Sequence, residues 1–133
     1  MSNIKMLNEK DEEEVEVSWE DQQKINSFSK LNAKTDDLEE QYEKLKQEKE
    51  YLDDLSMELE LADEDEPVRY KIGDAFVHMP LEKALERITT DSEKVSADLE
   101  DLKSQMDNVQ DQMAELKKAL YGKFGTSINL EKD

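Results

Sequence analysis

Glu66-Pro67-Val68-Arg69-Tyr70-Lys71-Ile72-Gly73-Asp74-Ala75-Phe76-Val77-His78-Met79-Pro80 is the stretch that decides the fold. It is the segment of the chain that alternates with period two, and a long helical pattern lies on each side of it. Gly73-Asp74 at its centre is a two-residue hairpin signal, because glycine accepts the positive φ that a primed turn demands. A two-residue loop fixes the register: Ile72 faces Ala75, Tyr70 faces Val77 and Val68 faces Met79. Those side chains then share one face of the ribbon, with Arg69, Lys71, Phe76 and His78 on the other. The competing reading is an irregular interhelical loop; agreement between turn chemistry and apolar pattern favours the hairpin. A lone two-stranded ribbon is marginal in water and its edges invite pairing, so this one needs neighbours. Val68, Tyr70, Ile72, Ala75, Val77 and Met79 are therefore the candidate subunit-assembly residues.

Upstream of the hairpin, order is expected from Ser18, whose hydroxyl can cap free backbone N–H groups while Glu20 and Asp21 complement the helix dipole. Leu31, Leu38, Leu45, Leu52 and Leu59 recur every seven residues, with Phe28, Thr35, Tyr42, Lys49 and Ser56 as a weaker second seam. A sustained heptad means a left-handed coiled coil. The pattern stops at Leu61-Ala62, where Asp63-Glu64-Asp65-Glu66 sets acids against the negative end of the dipole and Pro67 follows. That acidic block lacks the Gly and the terminal Glu of a calcium loop.

Downstream, Pro80 suits the first turn of a second helix. Leu81, Leu85, Ile88, Ser92, Val95, Leu99, Leu102, Met106, Val109, Met113, Leu116 and Leu120 then follow an unbroken 4-3-4-3 spacing. Met106 and Met113 are read first as seam fillers and only second as adaptable client-binding groups. The expected segments are a disordered acidic tail over 1–17, a helix over 18–62, the hairpin over 67–79, a helix over 80–122 and a tail over 123–133. The two helices match in length, each about 65 Å at ~1.5 Å per residue. The fold class is thus mainly α: an antiparallel two-helix coiled coil with a single β-hairpin between the helices. Parallel self-association would satisfy the heptads equally well but leaves the hairpin without a reason. A two-helix coil buries one stripe per helix, so an obligate oligomer joined through the hairpins is expected.

Composition agrees with that class. The 133 residues are 35% hydrophobic and 41% charged, too polar for a thick globular core. A net charge of −18 argues against nucleic acid and against an anionic membrane surface as partners. No apolar run is long enough to span a bilayer, and no signal-peptide core is evident. The absence of cysteine fits a reducing compartment.

Folding back gathers Trp19, Ile25, Phe28, Leu120, Tyr121 and Phe124 at the end of the coil away from the hairpin. They are the candidate interaction residues of that end, because apolar groups exposed there mark an interaction surface. A small aromatic plug closing the coil is the equal alternative. No catalytic, cofactor-binding or metal site is expected. Gly122-Lys123-Phe124-Gly125-Thr126-Ser127 lacks the Lys of a phosphate loop, and His78, the sole histidine, has no cysteine beside it.

The order helix, single hairpin, helix resembles a β-type prefoldin subunit. The likeness is carried by Glu20-Asp21-Gln22-Gln23-Lys24-Ile25-Asn26, the run Leu59-Glu60-Leu61-Ala62-Asp63-Glu64-Asp65-Glu66, and Tyr70-Lys71-Ile72-Gly73-Asp74-Ala75-Phe76. Leu120-Tyr121-Gly122-Lys123-Phe124-Gly125 and Ile128-Asn129-Leu130-Glu131 complete it. It covers residues 17–131 and departs from the family pattern at Gly122, usually Ala, and at Trp19, usually Phe. The resemblance implies a cytosolic heterohexamer in which this chain joins two α-type and three further β-type subunits. Their hairpins would assemble into β-barrels forming a platform for six coiled-coil arms. Unfolded actin and tubulin would be held between the arm tips and passed to the cytosolic chaperonin, without nucleotide. The residues themselves also allow a structural coiled-coil module that tethers two partners without holding clients.

Overall fold

The computed structural model describes residues 16–131. Helix α1 spans Trp19–Glu60, strand β1 Val68–Ile72, strand β2 Ala75–Met79, helix α2 Leu81–Phe124, and a 3-10 turn Gly125–Ser127. The acidic stretch expected to be disordered falls, over 1–15, outside the described residues. The described residues divide into two compact units: a terminal unit of 16–40 with 104–131, and a hairpin unit of Gln41–Lys103.

In the terminal unit, α1 starts on a reciprocal cap. The Asp21 N–H donates to Ser18 Oγ at 3.1 Å, and the Ser18 N–H donates to Asp21 Oδ2 at 3.2 Å. Two of the free donors of the first turn are satisfied in this way. The helix segments run antiparallel here: Thr35 meets Met113, and Asp21 meets Lys123. Thr35, a polar seam residue, is buried but donates back to the Leu31 carbonyl at 2.9 Å, so no hydroxyl is orphaned. Helix α2 ends at Phe124, two residues beyond Gly122, because Gly125 takes the left-handed exit with φ +55°. The residues after it return onto the helices, and Ile128 and Leu130 are buried.

In the hairpin unit, the pairing is the expected one: Ile72 with Ala75, Tyr70 with Val77, Val68 with Met79. Gly73 has φ +61° while Asp74 keeps a negative φ, which matches a type II′ turn with Gly at its first central position. Helix α1 closes at Glu60 through tightened bonds from Leu61 to Glu58 and from Ala62 to Leu59, short of the expected Ala62. Pro80 lies just before α2, its carbonyl accepting from the Ala84 N–H at 3.0 Å. The core joins Leu52, Leu55 and Leu59 of α1 to Val68 and Tyr70 of β1 and to Leu81, Ala84, Ile88 and Val95 of α2. The extrapolated heptad departs on both helices near the hairpin: on α1 Leu55 is buried beside a half-buried Ser56, and on α2 Leu85 is exposed beside a wholly buried Ala84. Ala84 belongs to the same buried cluster as Tyr70, so the apolar stripe of α2 shifts by one residue there.

Candidate functional site

The hairpin is covered towards the helices and bare towards its turn. Val68 and Tyr70 pack into the helix-lined core, whereas Ile72, Ala75 and Val77 on the same face stay exposed and Met79 is half-buried. The expectation that the hairpin cannot bury its apolar face within its own chain is therefore corrected for Val68 and Tyr70. Burial on the helix ends supplies the neighbours that a free ribbon lacks. Tyr70 adds a polar anchor: its hydroxyl donates to Asp91 Oδ2 at 2.8 Å, and Arg87 Nε approaches the same oxygen at 3.1 Å. Burial first, and the Asp91 carboxylate second, raise the phenol's pKa above its ordinary value, so the hydroxyl remains a donor.

Several large apolar side chains stay open on this unit. Ile72, Val77 and Phe76 on the hairpin are joined among the exposed large side chains by Met57, Leu61 and Leu85. Arg69 stacks on Phe76 at 3.9 Å from the ring centre, on the face opposite Tyr70. Leu61, 90% exposed, and Met57 escaped the sequence reading, which treated the helix ends as seam only.

The six residues expected at the far end divide sharply. Ile25, Phe28, Leu120 and Phe124 are buried in one cluster with Ile128 and Leu130, and Tyr121 packs half-buried against it. In this chain these residues form the aromatic plug, the reading that the sequence left open equally with an exposed apolar end. The cover is the segment after Gly125, whose Ile128-x-Leu130 spacing was the available signal and was too short to read. Trp19 stands apart at 75% exposure, with Val17 beside it in sequence at 39%. An open groove of about 550 Å³ lies along Lys30, Leu31, Glu115 and Leu116.

Ion pairs tie this unit together. Asp21 Oδ2 accepts from Lys123 Nζ, and Lys117 Nζ meets Glu131 Oε1 at 2.6 Å. The Lys123 contact, aided by the Ser18 bonds, lowers the Asp21 pKa from its ordinary 3.8 although burial pulls the other way. Glu131 raises the pKa of Lys117. A depressed carboxylate stabilises the fold above its unfolded pKa and loses that contribution as pH falls through its folded one. A raised lysine stabilises below its unfolded pKa and loses the contribution as pH rises through its folded one. The emission of Trp19, the single tryptophan, should therefore shift in acid with a midpoint below 3.8. Asp21→Asn should abolish that step; its survival would assign the step to another carboxylate.

A sequence profile described as "Prefoldin subunit" matches residues 22–127. The chain is 43% identical to "Prefoldin subunit 4" of Saccharomyces cerevisiae over 117 residues, covering 88% of this chain and 91% of that one. It is 36% identical to "Prefoldin subunit 4" of Homo sapiens over 122 residues, 91% of each chain. It is also 35% identical to "Probable prefoldin subunit 4" of Drosophila melanogaster over 121 residues, 91% of this chain and 88% of the relative.

Proposed function

The chain belongs to the prefoldin subunit family, and from that premise we propose that it is a subunit of a cytosolic heterohexameric co-chaperone that works without ATP. On this reading it assembles with two α-type and three further β-type subunits, whose hairpins combine into β-barrels. The complex captures unfolded actin and tubulin and delivers them to the cytosolic chaperonin. The observation that carries the reading is the half-covered hairpin. Helices anchor β1 through Val68 and Tyr70, while Ile72, Phe76 and Val77 stay open beside a β2 that pairs, among the described residues, with β1 alone. A bare apolar strand with a free edge is a surface for adding further strands.

Client holding needs apolar groups within reach of an unfolded chain, each at modest affinity, with avidity supplied by several subunits. Trp19 fits that need, being large, exposed and held at the start of α1 by the Ser18–Asp21 cap. One aromatic side chain buried on a client contributes on the order of 1.5–3 kcal/mol. Trp19→Ser should thus leave assembly intact and weaken the hold of this one subunit roughly ten- to a hundredfold. Hexamers carrying it should show a partial loss in suppressing aggregation of denatured actin, since the other subunits keep their own contacts. Undiminished suppression at verified stoichiometry would place client contact elsewhere. An assembled wild-type complex that suppresses nothing would favour the tethering module instead.

A further inference from the structure

Among the described residues of the terminal unit, the large exposed apolar side chains are Val17 and Trp19. That is little surface for a protein that holds unfolded chains. The larger apolar surface of this unit is the cluster of Ile25, Phe28, Leu120 and Phe124, covered by Ile128 and Leu130. The covering segment sits on it in the manner of a bound peptide. Ile128 is extended, with φ −135° and ψ 146°. Ile128 and Leu130 are 1% and 3% exposed, whereas Asn129 between them and Glu131 after them face solvent. Alternate side chains thus enter the cleft and the others leave it, the period-two pattern of any extended strand.

The grip on this segment reads main chain and charge more than sequence. The Leu130 N–H donates to the Tyr121 hydroxyl at 3.0 Å, a bond any residue but proline could offer. The Glu131 carboxylate meets Lys117 at 2.6 Å in a pair both of whose members are substantially exposed. Past this point the cleft continues: a hollow of about 380 Å³ bordered by Leu130 and Glu131 runs on past Phe28, Thr35, Met113 and Lys117. The link to α2 is Gly125 at φ +55°, with open space where a Cβ would stand, a joint rather than a packed element.

We propose that residues 128–131 occupy, within their own chain, the cleft that takes an extended client segment, so that a client binds by displacing them. The ligand class is an extended, proline-free stretch with two apolar residues separated by one and an acidic residue following. The proposal rests on the client-holding reading above and adds a self-occupied site to it. The tether makes the internal segment a competitor at roughly millimolar effective concentration, which masks a site of ~0.1 mM affinity on the order of tenfold.

The test compares hexamers containing the full wild-type chain with hexamers containing its I128D/L130D variant. The probe is a labelled peptide of residues 125–131, with the same peptide carrying both aspartates as control. The variant complex should bind the unmodified peptide about tenfold more tightly than wild type, ignore the control, and release the peptide when denatured actin is added. Equal peptide binding by the two complexes would overturn the proposal, as would peptide that actin does not displace. So would a variant whose far-UV circular dichroism shows lost helix, since the segment would then be folding core. Glu131→Lys in the chain, which spares the buried side chains and leaves Lys117 free for the probe's own Glu131, should give the same increase more weakly. Failure of the wild-type hexamer to suppress aggregation would count against the client-holding reading, whereas the peptide comparison bears on the cleft itself.

Discussion

Tyr70→Ala is expected to destabilise the hairpin unit by about 3–5 kcal/mol, the usual cost of emptying a fully buried aromatic site. Tyr70 is 0% exposed and touches the core contributed by both helices, so nothing nearby can collapse to fill its place without moving the hairpin. Tyr70→Phe keeps the ring and loses the bond to Asp91, and should cost about 1–2 kcal/mol. Urea unfolding followed by circular dichroism measures both. If Tyr70→Ala cost no more than Tyr70→Phe, the ring would not be what seats the hairpin, and the picture of β1 as its anchored strand would fail.

The combination of Ile72→Asp with Val77→Asp should act on assembly and leave folding largely intact. Both side chains are already exposed, at 37% and 43%, so their replacement costs the isolated chain little. In an interface, the same two carboxylates would be buried without partners, a penalty of several kcal/mol each. The expected product is a helical chain, by circular dichroism, that fails to assemble with other prefoldin subunits by native mass measurement. Normal incorporation would remove the hairpin from the assembly surface and leave Met57, Leu61 and Leu85 as the remaining apolar candidates.

These two experiments separate residues that the sequence treats alike. Period two places Val68, Tyr70, Ile72 and Val77 on one face, and the register follows because Gly73-Asp74 is a local signal with local geometry. Which of the four the helices cover depends on where α1 and α2 end, and that is a property of packing. Ala84 illustrates the same limit: a strict heptad nominates Leu85, but packing around the hairpin buries its smaller neighbour. At the other unit the plug and the exposed end were both legible as possibilities. The deciding residues, Ile128 and Leu130, lie beyond the helix, where two apolar positions make no measurable period. Trp19 and Phe124 look equivalent in sequence, and one is 75% exposed while the other is 3%.

The polar cross-links between α1, β1 and α2 also set an order of events in time. The bond from Tyr70 to Asp91 spans 21 residues of chain, Lys49 to Ser96 spans 47, Thr35 to Met113 spans 78, and Lys123 to Asp21 spans 102. Closing a loop costs entropy that grows with its length, by about 0.6 kcal/mol for each doubling. Formed independently, the widest of these contacts costs about 1.4 kcal/mol more than the narrowest. Once the hairpin has formed, each successive contact closes only a short additional loop, so the chain gains most by zipping from Tyr70 outward. The contacts at Asp21 and Leu130 then form late, and in the reverse direction they are the first to open. Hydrogen exchange on the native chain should accordingly find the shortest-lived amides around Ser18 to Asp21 and Leu130, and the longest-lived in the helical turns that flank Tyr70.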